Sequence, residues 1–244
     1  MLSTILSSLI DVAIQLIVLL PFLWLAKKSY NTREKNILWI AAALFLLDTI
    51  LVNYFAGIRL FPSQRCNWVG KFASITWATV FVYVNGLISR KEVGWTTKRQ
   101  AGSLGFFLSV LVILSVLKLY FYHAYNHPPA SVHFETVLFQ ATMPGIAEEI
   151  VFRGILLALL NKVFQTKWSA FGVRFGWGAI ISSILFGLVN GFYIDGAWSL
   201  DFITIGIIRA AIDGFFLALV KEKTKSLVPA IIIHNVLDVI VCFW

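Results

Sequence analysis

Residues 143–160 read MPGIAEEIVFRGILLALL. Without three of its side chains this stretch would be a plain lipid-soluble helix of Ile, Val, Phe, Leu and Ala. Glu148, Glu149 and Arg153 interrupt it. On insertion scales an ionised side chain at the centre of a membrane helix costs about 2.5–3.5 kcal/mol, so three cost about 8–10 kcal/mol before any pairing. Whether the stretch sits in lipid, and what compensates those charges, is decided by the rest of the chain.

Hydrophobic residues make up 59% of the 244 and charged residues only 13%, too little polar surface to clothe a soluble globule, so the solvent is lipid. A hydrocarbon layer about 30 Å thick is crossed by about 20 helical residues. Apolar runs of about that length recur at 2–26, 37–58, 67–88, 102–122, 133–160, 175–193, 201–220 and 227–244, about eight in all. They are continuous rather than alternating, which points to helices and away from a barrel. The expected fold class is all-α: a polytopic membrane protein of about eight transmembrane helices in a single bundle. Residues 1–244 read as one membrane domain, with 133–244 as the motif-bearing helices. The longest polar stretches, 89–100 and 123–130, are too short for a folded extramembrane domain. No internal repeat marks an inverted-repeat transporter, although an ion or solute carrier using the same buried charges stays open.

The formal charge of +8 does not signal nucleic acid, because the basic residues sit in short loops between apolar runs. Lys27, Lys28, Arg33 and Lys35 follow the first run, and Arg90, Lys91, Lys98 and Arg99 the third. Lys162, Lys167 and Arg174 follow the fifth, and Lys221, Lys223 and Lys225 the seventh. The other side carries Arg59, Arg65 and Lys71. Cytoplasmic loops hold the excess of Lys and Arg, so the basic loops are expected inside and both termini outside. The first run lacks a basic start and a cleavage site and is expected to remain as helix one. Cys66 and Cys242 lack metal-type spacing and read as plain thiols.

Glu149 and Arg153 lie four apart on one helical face and can pair, whereas Glu148 is turned about 100° away and needs another partner. Two adjacent carboxylates resist simultaneous ionisation, which suits one of them to general-base work. Pro144 and Gly145, just before them, can kink or open the helix. In SLVPAIIIHNVLDV (226–239), His234 and Asp238 share a face and can reach one partner together. In SSILFGLVNGF (182–192), Phe186 and Asn190 share a face. In GIIRAAIDGFF (206–216), Arg209 and Asp213 are placed to neutralise each other. Each of these groups also has a plain reading as interhelical hydrogen-bonding glue. His123, His127 and His133 cluster at a membrane edge and carry no assigned chemistry.

In this order the residues resemble the CAAX protease and bacteriocin-processing family of membrane endopeptidases, CPBP or Abi, over about residues 140–240. That family is marked by Glu-Glu-x-x-x-Arg, met here by Glu148, Glu149 and Arg153; by Phe-x-x-x-His; and by His-x-x-x-Asn or Asp, met by His234 and Asp238. At the second motif Phe186 is followed by Asn190 in place of histidine. The resemblance implies an intramembrane peptidase in which Glu148 acts as base on water with the second-motif residue assisting. His234 and the side chain at 238 would stabilise the oxyanion, and Asp238 has the further option of orienting His234. Glu149 belongs to the implied site, with Arg153 and Phe186 as structural support. Asn190 can orient a water but cannot carry a proton. A zinc site of glutamates and histidine is conceivable but disfavoured by this hard-ligand set, so no cofactor is expected. Expected partners are membrane lipids and a peptide or protein substrate, such as a prenylated C-terminus, a bacteriocin-like peptide or a membrane-protein tail. The expected location is the plasma membrane of a prokaryote. The runner-up is a noncatalytic member serving as a binding or immunity protein.

Overall fold

Capping residues and prolines set where the apolar runs break. In the computed structural model, which describes residues 2–124, 132–194 and 200–243, α1 (Leu2–Ala26) coincides with the first run. The second run starts five residues earlier than its apolar content suggests, as α2 (Thr32–Phe55). There the Asn31 side chain accepts the Glu34 N–H and Glu34 accepts the Asn31 N–H, a reciprocal cap that starts the helix in polar sequence. α3 (Trp68–Val84) begins after Asn67, whose Oδ1 accepts the Gly70 N–H at 2.9 Å. A single turn, α4 (Arg90–Val93), is capped by Ser89 and ended by Gly94 at φ 83°. α5 (Leu104–Ala124) follows. The 125–131 segment, with His127, lies outside the described residues.

The fifth run is not one helix. It divides into α6 (Phe134–Gln140), α7 (Met143–Glu149), a π-helical segment (Ile150–Leu156) and α8 (Leu157–Val163). Proline lacks an N–H and disfavours helix at the residue before it, so the chain turns ahead of Pro144 and restarts. Glu148 and Glu149 therefore stand in the second turn of the restarted helix, not near the middle of a long one as the run implied. The π segment is wholly buried, with Val151 and Ile155 inaccessible, and Leu157 and Leu159 of α8 continue the buried run. Single π turns of this kind recur at functional sites.

α9 (Trp177–Gly191), α10 (Thr204–Thr224) and α11 (Val228–Cys242) complete the helices. The all-α expectation needs one correction, since β1 (Thr166–Ala170) pairs with β2 (Val173–Gly176), and β3 (Phe192–Ile194) with β4 (Leu200–Phe202), as two short antiparallel hairpins. The first turns through Phe171 and Gly172 at φ 54° and 69°, both left-handed as a tight two-residue turn requires. A search for 20-residue apolar runs does not see such short strands. Of the eight expected spans, three helices among the described residues, Thr4–Ala26, Thr32–Phe55 and Leu104–Phe121, are long and apolar enough to cross a membrane. α3, α9 and α11 are apolar but shorter.

α9 and α10 approach closely through Gly187 and Gly191. A Cβ at Gly187 would lie 2.5 Å from the Ile207 carbonyl oxygen, and one at Gly191 would lie 2.8 Å from the Ile207 nitrogen. The pair forms a small-xxx-small contact in which backbone lies on backbone. On the side of the basic loops, Lys162 Nζ contacts Glu92 Oε1 at 2.6 Å, and the buried Lys221 Nζ donates to the Glu92 carbonyl at 2.8 Å. The Leu227 N–H donates to the Gly94 carbonyl at 3.0 Å. These bonds tie the α4 loop to α8 and to the α10–α11 junction. Burial pushes the Glu92 carboxyl up, but hydrogen bonds from Lys162 and Ser89 outweigh burial and bring it down to about 2.

Two outcomes are expected. Gly187→Val should destabilise the detergent-solubilised protein by about 1–3 kcal/mol through overpacking, read as a lower thermal midpoint. Because the Glu92 carboxyl is depressed on folding, its contribution is full above the ordinary value of 4.5 and is lost as pH falls through about 2. The thermal midpoint of Glu92→Gln should therefore lie below that of the parent at pH 7 and converge with it under acid.

Candidate active site

α7, the π segment, α9 and α11 converge at His234. Glu149 is fully buried, and its Oε1 meets two partners: Arg153 Nη1 at 3.0 Å within the same helical run, and His234 Nδ1 at 2.8 Å from α11. A carboxylate only accepts, so Nδ1 carries the proton and donates it to Glu149. His234 Nε2 is left facing two further carboxylates, Asp238 Oδ2 at 3.4 Å and Glu148 Oε2 at 3.9 Å. The four-residue spacings Glu149/Arg153 and His234/Asp238 thus bring each pair within reach, as their shared helical faces require.

Glu148, turned away from Glu149, finds its partner in a part of the chain the motifs do not cover. Lys71 Nζ of α3 lies 2.7 Å from Glu148 Oε1, with both side chains largely buried. The charge pattern counts Lys71 with the less basic side of the membrane. The Asn67 cap sets it inside α3, one turn from its start. The cap, a side-chain amide three residues before Gly70, was the available signal.

Phe186 sits where the second motif predicts, but its work is apolar. The Arg153 guanidinium lies 4.0 Å from the Phe186 ring centroid, and the His234 ring meets the same phenyl edge-on at 5.8 Å. Gly214 of α10 makes room for this stack: a Cβ there would come within 2.8 Å of Arg153 Nη2 and 3.1 Å of Phe186 Cδ1. Asn190 does not join the glutamates. Its Nδ2 donates to the Phe186 carbonyl, 2.9 Å away in its own helix.

Asn190 lines a cavity of about 70 Å³ walled also by Lys118, Arg209, Asp213, His234 and Asp238. Such a volume holds one or two waters, and the polar wall supplies their hydrogen bonds. Glu148 and Glu149 are not in this wall, so the His234 imidazole is the group shared by the cavity and the glutamates. Asn235, which carried no expectation, secures the restart of the helix. Its Oδ1 accepts the Gly145 N–H at 2.8 Å and its Nδ2 donates to the Thr142 carbonyl at 3.3 Å, so α11 caps α7 beside the break at Pro144. Gly145 is required there, because a Cβ would lie 2.3 Å from Asn235 Oδ1.

Among the described residues, no three His, Cys, Asp or Glu side chains are grouped to hold a metal ion. One oxygen of each glutamate is engaged, Glu149 Oε1 by Arg153 and His234 and Glu148 Oε1 by Lys71.

The chemistry this arrangement can perform is that of a carboxylate and an imidazole close enough to bond one small group together, with a polar-walled cavity on the far side of the imidazole. Comparison with curated proteins and with solved structures yields no match. Residues 130–240 match the family model described as Type II CAAX prenyl endopeptidase Rce1-like. That stretch carries Glu148, Glu149, Arg153, Phe186, Asn190, His234 and Asp238, and over it the chain is similar to the Rce1-like family of CAAX proteases.

Proposed function

We propose that the protein is an intramembrane endopeptidase in which Glu148 activates water for attack on the peptide bond of a membrane-associated substrate. The observation that carries this reading is the approach of Glu148 Oε2 to 3.9 Å from His234 Nε2, with Glu149 and Arg153 holding the imidazole in place. A water beside the two, within hydrogen-bond reach of Glu148 Oε2, gives its proton to Glu148 and its oxygen to the carbonyl carbon. The resulting oxyanion accepts a hydrogen bond from Nε2–H of the His234 imidazolium, which the neighbouring Glu149 and Asp238 carboxylates stabilise. When the C–N bond breaks, the proton on Glu148 passes to the leaving amine. Asp238 orients His234, and Asn190 orients water in the adjoining cavity without carrying a proton.

No metal or other cofactor enters this scheme. The substrate is a peptide or protein presented from the membrane: a prenylated C-terminus, a bacteriocin-like peptide or a membrane-protein tail. The bundle is proposed to sit in a prokaryotic plasma membrane with about eight membrane-embedded helical segments, the basic loops in the cytoplasm and both termini outside, in line with the positive-inside pattern. Against catalysis stands one specific observation: the second-motif side chain is an amide whose Nδ2 is bonded to its own helix, and an amide brings no proton carrier. On that basis the second reading is a noncatalytic binding or immunity protein.

Cleavage of a quenched fluorogenic peptide by the purified protein in detergent separates the two. Under the peptidase reading Glu148→Gln lowers kcat by at least about 100-fold, the usual worth of a general base, while folding is retained. Undiminished cleavage by that variant removes Glu148 from the role. Asn190→His should raise kcat by supplying an imidazole at the cavity wall. Silence of both the parent and Asn190→His, across prenylated and unmodified peptides, favours the noncatalytic reading.

A further inference from the structure

The site described so far lies in residues 130–240, yet the group in closest contact with Glu148 comes from outside that stretch. We propose that Lys71 is a positioning residue for Glu148: its ammonium keeps the carboxylate ionised and aimed, so the N-terminal half completes the catalytic site. This rests on the reading of Glu148 as the base.

The charges packed around Glu148 leave this task to Lys71. From its own helical run come Glu149 and Arg153, and from α11 come His234 and Asp238; Asp48 of α2 lies beyond Lys71. Arg153 Nη1 and His234 Nδ1 both converge on Glu149 Oε1, and the other His234 nitrogen stands 3.9 Å from Glu148 Oε2, beyond hydrogen-bond contact. Asp48 accepts from the neutral donors Ser74 Oγ at 2.5 Å and Trp77 Nε1 at 2.8 Å, which leaves the Lys71 ammonium directed to Glu148 Oε1 at 2.7 Å. Three other carboxylates, those of Asp48, Glu149 and Asp238, lie around the pair, so Glu148 stands among negative charge. The Lys71 ammonium in hydrogen-bond contact offsets that repulsion.

The departure at Asn190 sharpens the requirement. Without an imidazole at the second motif, Glu148 takes the proton from water and also returns it to the amine, so each cycle must start from the ionised carboxylate. Lys71 has no need to touch the substrate. Its charge acts through Glu148.

The test is the pH dependence of kcat/KM for the full-length protein in detergent, comparing the parent with Lys71→Met, Lys71→Gln, Lys71→Arg and Glu148→Gln. The neutral variants should be most impaired at low pH, with the acid limb moved up by about one unit or more and activity recovering as pH rises. Lys71→Arg, which keeps the charge, should leave the acid limb where the parent has it whatever its absolute rate. An acid limb unmoved in Lys71→Met and Lys71→Gln, or activity lost uniformly at all pH in both, overturns the proposal and leaves Lys71 as packing. If Glu148→Gln retains the parent's activity, the assignment of the base fails first, and any effect of Lys71 then has another origin.

Discussion

An ionised carboxylate with no access to solvent is the constraint around which this bundle is organised. Glu149 is inaccessible, and removing either of its partners would strand a buried charge, a loss of about 3–5 kcal/mol for a pair of this kind. One partner, Arg153, lies one turn along the same helical run, so pairing with it sets only the local rotamers. The other, His234, belongs to α11. The Glu149–His234 contact therefore fixes the register of α11 against the π segment, and Asn235 fixes it again one residue later by bonding Gly145 and Thr142. Two polar contacts on consecutive residues leave α11 no freedom to slide or rotate, which a purely apolar interface between helices would not achieve.

The same contact divides the adjacent glutamates. A turn of about 100° between neighbours sends Glu149 into the core and Glu148 towards α3, where it keeps partial exposure. One carboxylate thus becomes a fixture and the other stays at a reachable surface. An aromatic layer supports the division: Phe45, Phe152 and Phe186 meet edge to face in series, and Phe186 carries the Arg153 guanidinium on its face and the His234 ring at its edge. The guanidinium is solvated by a ring on one side and an anion on the other, which lets a charge stand where water does not reach.

Much of this was legible in the residues, for a physical reason: buried charge is costly, so its presence in an apolar run requires a partner. The pairing of Glu149 with Arg153 and the shared face of His234 and Asp238 follow from four-residue spacing alone, whereas the meeting of His234 with Glu149 depends on how α11 packs on α7. The family likeness follows from the order of the motifs. What escaped depended on backbone detail. Apolar content cannot show that 133–160 breaks at Pro144, which moves Glu148 from mid-helix to the second turn. The hairpin at Phe171 and Gly172 is set by two left-handed residues in a stretch too short for hydropathy to resolve. Lys71 counts in the sequence only as charge of the less basic side, because it stands in the first turn of the third apolar run, where hydropathy does not tell whether a side chain faces the headgroups or enters the bundle. Asn190 was grouped with the glutamates by motif position, whereas its amide is satisfied within its own helix.

The N-terminal helices hold α3 at one rotation, and this explains how a lysine reaches the glutamates. Gly70, Ser74, Ala78 and Val82 form the buried stripe of α3, small enough for close approach to its neighbours. Asp48 of α2 then grips two consecutive turns of that helix through Ser74 and Trp77, while Asn67 donates to the Val52 carbonyl at its start. Rotating α3 by one residue would cost both bonds to the buried Asp48 carboxylate. With the stripe fixed, Lys71 stands beside it, three residues before Ser74 and therefore on nearly the same face, where its side chain has only the bundle interior to enter. A lysine in that position without an anion would be as costly as an unpaired glutamate in α7. Each makes the other tolerable, so the charge that the sequence places in the fifth apolar run is balanced by charge in the third, and the two halves of the chain are bound at that contact.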